Sequence, residues 1–154
     1  MNNVTNILMN DRILVSFLSS TTKPVLIMNI YGPNSDKEKC IFINDLQKWV
    51  QTAIKNSDCN NIVLLGDCNI VLDNNYDIVS GLPHAKTVVE NFNSFVNQMD
   101  LFDIWRLKNP KVRAFTLSCK KPTFTARRLD YIFLSSHLMS LRKKIDIKNI
   151  GLSE

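Results

Sequence analysis

Residues 61–69 read Asn-Ile-Val-Leu-Leu-Gly-Asp-Cys-Asn, and this stretch decides the fold. The apolar run of Asn61–Leu65 predicts a short strand buried on both faces. Gly66-Asp67-Cys68-Asn69 then ends it. Asp67 and Asn69 are two residues apart, so both fall on the same side of an extended chain. Such a pair can orient a water and a phosphate oxygen together. Gly, Asp and Asn also favour turns, so the same residues carry a purely structural reading.

Working outward, Arg12–Leu18 and Val25–Tyr31 are apolar runs of strand length separated by Lys23-Pro24, and they predict a hairpin or adjacent strands. Asn29-Ile-Tyr-Gly-Pro-Asn34 ends the second run in turn chemistry and fixes Tyr31 at a strand end with its hydroxyl near solvent. Ser35 and Glu38 have capping-box spacing. Phe42, Leu46, Trp49, Val50 and Ala53 follow at helical spacing, which predicts an amphipathic helix to about Asn56 with Trp49 in the core. Asp73–His84 is polar and reads as a surface loop. Thr87 and Glu90 repeat the capping-box spacing, and Val88, Phe92, Phe95, Val96 and Met99 form a second helical face ended by Asp100.

From Leu101 the pattern changes. Trp105–Pro110 reads as a loop, Phe115–Leu117 as a short strand and Lys120–Arg128 as a basic connection. Leu129–Leu134 and Ile145–Ile150 read as strands. Asp130 is a single acid in an apolar run, where an ionised carboxylate is costly unless paired. Residues 1–11 read as a polar leader and 12–154 as one domain. Strands interspersed with amphipathic helices predict a layered α/β architecture.

Composition sets the outer bounds. A chain of 154 residues is one domain, or most of one, and 45% hydrophobic with 21% charged residues is ordinary globular usage, which excludes disorder as the main state. No apolar run approaches the length of about 20 residues that spans a bilayer. The polar start lacks the basic n-region of a secretory signal. Cys40, Cys59, Cys68 and Cys119 form no C-x-x-C pair, which supports neither a zinc site nor a disulfide framework and suits a reducing intracellular setting, nucleus or cytoplasm. The net charge of +5 is uneven: residues 1–100 carry −3 and residues 101–154 carry +8. A basic C-terminal third suits a polyanionic partner such as nucleic acid, and equally a solvated face.

Five pieces in one order carry a resemblance: Asn29-Ile-Tyr-Gly-Pro-Asn34, Gly66-Asp-Cys-Asn69, Leu101-Phe-Asp-Ile-Trp-Arg106 with Asn109-Pro110, Phe115-Thr116, and Arg128-Leu-Asp-Tyr-Ile-Phe-Leu-Ser135. Together they resemble the endonuclease/exonuclease/phosphatase superfamily of DNase I-like fold. The likeness is greatest to endonuclease domains of non-LTR retrotransposons, themselves similar to apurinic/apyrimidinic endonucleases. The resemblance implies a partial four-layer α/β sandwich, two mixed sheets flanked by helices. It implies magnesium-dependent hydrolysis of DNA phosphodiesters. Asp67 orients and activates the water, Asn69 holds a phosphate oxygen or that water, Tyr31 donates to the scissile phosphate, and Asp130 orients a catalytic histidine. Trp105, Arg106, Lys120, Lys121, Arg127 and Arg128 are expected at the rim, contacting DNA. DNA is the implied partner, without a membrane, and a reverse transcriptase polyprotein the implied parent.

Two departures qualify these expectations. Cys68 stands where the family usually shows an aromatic, a small packing change. More serious, the family's metal-binding Glu, its companion Asn and its catalytic His have no counterpart here. Ser153-Glu154 stands where a Ser-Asp-His run is expected, and His84 and His137 read as surface residues. The chain is therefore expected to be the C-terminal two-thirds of the domain, cut at both ends. No protein metal ligand is assigned, and magnesium is expected only for the complete domain. Other readings are a non-catalytic nucleic-acid-binding remnant and a phosphoesterase acting on a phospholipid or inositol phosphate.

Overall fold

The computed structural model describes residues 3–19, 23–119 and 124–141. Lys120, Lys121, Ile145–Ile150 and Ser153-Glu154 lie outside them. Its centre is a six-stranded mixed sheet of order β1-β2-β3-β4-β8-β5. The strands are β1 (Asn3–Asn10), β2 (Ile13–Ser19), β3 (Val25–Tyr31), β4 (Ile62–Asp67), β5 (Leu101–Asp103) and β8 (Asp130–Ser135). A second, two-stranded antiparallel sheet pairs β6 (Leu117–Cys119) with β7 (Thr125–Arg127). Three helices, α1 (Asp36–Ser57), α2 (Lys86–Gln98) and α3 (Ile104–Lys108), flank them. This is a partial DNase I-like α/β sandwich.

β3 and β4 are parallel, and α1 is the crossover that such a pair requires. Ser35 caps α1 by accepting the Glu38 N–H at 3.3 Å, as its spacing predicts. Phe42, Ile43, Leu46, Val50 and Ala53 of α1 and Val88, Phe92, Phe95 and Val96 of α2 are buried. They share one core with Ile13, Val15, Leu26, Met28, Ile30, Ile62, Leu64, Tyr131 and Phe133. Both long helices therefore cover one face of the large sheet. On the other face Leu14, Phe102 and Ile132 are exposed, while Val25 and Val63 pack against a small cluster of Ile104, Leu134 and Leu138.

Four readings change. Residues 3–10, expected within a polar leader, pair antiparallel with β2 as an edge strand. Thr87 does not cap α2: the N-cap is Ala85, with no side-chain bond. A carboxylate from elsewhere serves instead, because Asp36 Oδ2 accepts the Ala85 N–H at 2.8 Å. Trp105–Pro110, read as a loop, begins as helix α3, capped by Asp103 accepting the Arg106 N–H at 3.0 Å. Within the basic connection, Thr125–Arg127 is strand β7.

The loop Asp73–His84 is not simply a surface loop. Asp77 within it is fully buried, at 0% exposure, and so is Arg128, at 1%. The Arg128 guanidinium grips Asp77 with two bonds, Nε to Oδ1 at 2.7 Å and Nη2 to Oδ2 at 3.0 Å, and reaches Asp103 Oδ2 at 2.7 Å. Arg106 also pairs with Asp77. The guanidinium of Arg128 lies over the rings of Trp105 and Tyr131, 5.2 and 4.3 Å from their centroids. Burial opposes its charge, but the hydrogen-bonded carboxylates of Asp77 and Asp103 outweigh this and hold its pKa above the ordinary arginine value.

Arg128→Met would leave the buried Asp77 with Arg106 as its described ion-pair partner and would remove the Arg128 cation from Asp103. Removing one partner of a buried ion pair costs about 3–5 kcal/mol. The expected outcome is a matching drop in urea-unfolding free energy. A drop below about 1 kcal/mol, the scale of exposed pairs, would refute a structural role.

Candidate active site

Strand register builds the site. Tyr31 pairs with Asp67 across β3–β4, and Asp67 pairs with Asp130 across β4–β8. Directly paired residues share a sheet face, so the three side chains form one row at the end of the sheet. That face is the one opposite α1 and α2, since Met28, Leu64 and Phe133 occupy the alternate positions in the core. Tyr31 is 52% exposed, with the Arg12 guanidinium 5.5 Å from its ring centroid.

Two glycines allow the row to form. A Cβ on Gly66 would sit 2.1 Å from the Ile30 carbonyl oxygen, and its φ of +128° is glycine territory. A Cβ on Gly32 would sit 2.2 Å from the Cys68 carbonyl oxygen. This close approach lets Gly32 N–H donate to Asp67 O at 2.7 Å and Asn69 Nδ2 donate to Gly32 O at 2.8 Å. Asn69 takes a left-handed φ of 51° and donates its backbone N–H to Asp67 Oδ1 at 2.8 Å. The turn thus positions both candidate groups: the Asx bond orients the Asp67 carboxylate, and the bond to Gly32 O orients the Asn69 carboxamide. Cys68 is buried in the core between them, and burial pushes its thiol pKa well up.

Asp67 is half-buried. Burial raises its pKa above 3.8, the adjacent Asp130 carboxylate adds to the rise, and the Asn69 N–H and Lys39 oppose it. Asp130 itself is exposed at the start of β8, so the expectation of a costly interior acid does not hold there; that acid is Asp77. Thr116 Oγ1 accepts the backbone N–H groups of Leu129 and Asp130 at 3.0 and 3.1 Å, which fixes the strand start.

The expected nucleic-acid contacts divide. Arg128 and Trp105 are buried and Arg106 is mostly so, engaged with Asp77 and with the carbonyls of Asn109 and Val112 at 3.0 and 2.9 Å. Arg128 and Trp105 thus hold the interior, and Arg106, 18% exposed, is engaged largely with it. Arg127 is partly exposed and lines a cavity of about 320 Å³ together with Asn34, Lys39, Asn69, His84 and Leu129. His84 is therefore not a plain surface residue. His137 is exposed beyond the Ser135 end of β8, away from Asp130.

Among the described residues no three His, Cys, Asp or Glu side chains come together as a metal-ligating group. Asp67 and Asp130 alone are a sparse donor set for magnesium, which takes one or two carboxylates and fills its octahedron with water and substrate oxygens. The set does not fit a firmly held ion.

No protein-family profile matches the chain. It is 28% identical over 130 residues to the Transposon TX1 uncharacterized 149 kDa protein of Xenopus laevis, a span of 83% of this chain and 10% of that protein. Its fold superposes on the 3' phosphatase NExo from Neisseria, solved with a product DNA hairpin, with a TM-score of 0.71 and 18% identity over 91% of this chain and 61% of that one. The Xenopus laevis APE2 catalytic domain gives a TM-score of 0.62 at 19% identity, over 84% of this chain and 47% of that one. The endonuclease domain of TRAS1, a telomere-specific non-LTR retrotransposon, gives 0.63 at 10% identity, over 91% and 58%. The fold is thus that of the DNase I-like nucleases. The chain is thus similar in fold to apurinic/apyrimidinic endonucleases and to a retrotransposon endonuclease domain, and in sequence to a transposon protein. It spans 61% or less of the solved relatives' lengths and a tenth of the transposon protein.

A carboxyl whose pKa rises on folding binds more protons folded than unfolded. Its charged form is therefore destabilising, and the penalty is present above the folded pKa and absent below the unfolded value of about 3.8. Asp67→Asn, which keeps an oxygen for the Asn69 N–H, is expected to raise Tm near neutral pH. The gain should vanish as the pH falls below about 4. Equal gains at both pH values in thermal melts would contradict the ionisation argument.

Proposed function

We propose that the chain carries the phosphate-recognising part of a DNA phosphodiesterase site derived from a transposon endonuclease. The observation that carries this reading is the register row Tyr31–Asp67–Asp130 with Asn69 beside it. Hydrolysis needs a base near an in-line water and donors on the phosphate oxygens. Asp67, with its raised pKa, is the base. The Tyr31 hydroxyl and the Asn69 carboxamide are the donors. Arg127 supplies positive charge beside them; Lys120 and Lys121 lie outside the described residues and are proposed as phosphate contacts from the sequence alone. Duplex DNA is the expected partner, in an intracellular setting and within a larger polyprotein. No helix among the described residues is long and apolar enough to cross a membrane.

Chemistry by this chain alone is expected to be slight. The sequence has two histidines, and neither stands beside Asp130. Removing one stabilising contact to the transition state costs about 3–4 kcal/mol, and here the imidazole and a firmly held metal are both lacking. The same deficit favours a second reading, a nucleic-acid-binding remnant without catalysis.

Both readings expect duplex binding that weakens steeply with salt. Fluorescence anisotropy between low and high salt tests this, and equal binding at both would exclude the basic surface. Supercoiled plasmid nicking with magnesium then separates the two. Weak nicking that disappears in Asp67→Ala supports the enzyme, whereas identical background in both chains supports the remnant. Robust nicking abolished by Asp67→Ala would show that the chain suffices for catalysis without that imidazole and metal.

A further inference from the structure

The cavity beside Asn69 contains a side-chain cluster that the hydrolytic row does not use. Lys39 is 1% exposed, yet its Nζ holds Asn34 O at 2.9 Å, Asp36 Oδ1 at 3.0 Å and His84 Nδ1 at 3.1 Å. Asp36 Oδ1 is also 3.1 Å from His84 Nδ1. One nitrogen cannot serve both neighbours, because the ammonium only donates and the carboxylate only accepts. In the neutral ring either Nδ1 accepts from Lys39 and Nε2 carries the proton, or the reverse. In both forms Nε2 is left buried without a partner. The imidazole is 12% exposed and lines the cavity together with Arg127 of β7 and Asn69.

We propose that this cavity is an anion subsite for one phosphoester group, with Arg127 and the His84 imidazole as its two switchable or fixed cations, and that filling it is coupled to uptake of a proton by His84. Charge supports the assignment. Lys39 and Asp36 cancel one another, Arg127 leaves one positive charge, and protonated His84 adds a second. Arg127 has a long bond of 3.4 Å to Leu82 O as its described hydrogen bond, so its guanidinium can turn to a ligand. The groups acting on His84 are Asp36 and Lys39 from α1 and Arg127 from β7. Burial, then the Lys39 and Arg127 charges, lower its pKa, and the Asp36 carboxylate opposes them. An anion in the cavity adds the charge that reverses this balance, so binding raises the His84 pKa and draws in a proton. The subsite shares Arg127 and Asn69 with the phosphodiesterase reading; proton uptake by His84 belongs to the subsite alone, so diester binding without it leaves that reading intact.

Dimethyl phosphate is the probe, since a diester does not titrate near neutrality. Calorimetry in two buffers of different ionisation enthalpy measures affinity and proton uptake. Binding should tighten about threefold or more from about pH 7.5 to about 5.5, with net proton uptake on binding. His84→Gln should bind with no pH dependence, and Arg127→Gln should bind several-fold more weakly at both pH values. A short oligothymidylate that competes with the diester identifies a nucleic-acid strand as the source of the phosphate; failure to compete identifies a small free phosphoester. Absence of diester binding by the natural chain, zero proton uptake, or an unchanged pH profile in His84→Gln overturns the proposal. If that variant does not fold, the imidazole nitrogen resonances of His84 in the natural chain decide: a titration midpoint unmoved by the diester is equally fatal.

Discussion

The buried contact between Asp77 and Arg128 is the constraint on which the arrangement of the functional end depends. Asp77 comes from an otherwise polar loop, and Arg128 from the turn into β8. Once paired, the two backbones also join, with Arg128 N–H donating to Asp77 O at 2.9 Å. The loop then runs alongside β7, where Val79 N–H reaches Ala126 O at 3.0 Å and Ser80 Oγ reaches Phe124 O at 2.5 Å. Tyr131, next on β8, accepts the Leu72 N–H at 3.2 Å, and its hydroxyl lies 2.9 Å from both Ile70 O and Arg128 O. The segment after Asn69 is thereby tied to the strand that bears Asp130. A buried ion pair is weak evidence for net stability, because desolvation consumes much of its attraction. Here it does something else: with one acid shared by two arginines, a misplaced loop leaves charges stranded in the interior, and only one placement of the loop satisfies them all.

A second anchor holds the far end of the same loop. Asp36 takes the Ala85 N–H and one nitrogen of His84, and the Ala85 N–H holds its carboxyl down at about 2. Because this acid sits in the first turn of α1, it also serves the start of α2, which has no cap of its own. The loop therefore bridges the helical layer and the small sheet, and the cavity beside Asn69 is the space left between its two anchors.

Much of the frame was legible from periodicity. Val25–Tyr31 and the start of α1 at Ser35 follow from an apolar run and a cap, both local signals. The misses have equally physical reasons. β1 carries three asparagines in eight residues, poor strand formers, and it is defined by pairing with β2. α3 and β7 are too short, at five and three residues, for periodicity to register. Arg128 and Arg106 read as surface cations because arginine usually is one, and the acids that internalise Arg128 lie 51 and 25 residues away in the chain. The one local hint was Ile78-Val79 directly after Asp77, an apolar pair inside a polar loop. For the candidate site, the strand ends that carry Tyr31, Asp67 and Asn69 were legible because turn chemistry marks them. Asp130 read as an interior acid from its apolar run, and it is exposed at the start of β8.

The division of the large sheet into a helix-covered face and a more open one has a consequence for the history of such a domain. The side chains that hold the fold together and the side chains that would meet a phosphate leave the same strands in opposite directions. Residues without shared contacts contribute nearly independently to folding. Selection for a folded chain and selection for a working one therefore act on nearly separate sets of positions. A copy freed from the second kind of selection can shed its chemistry one residue at a time while its architecture stays recognisable.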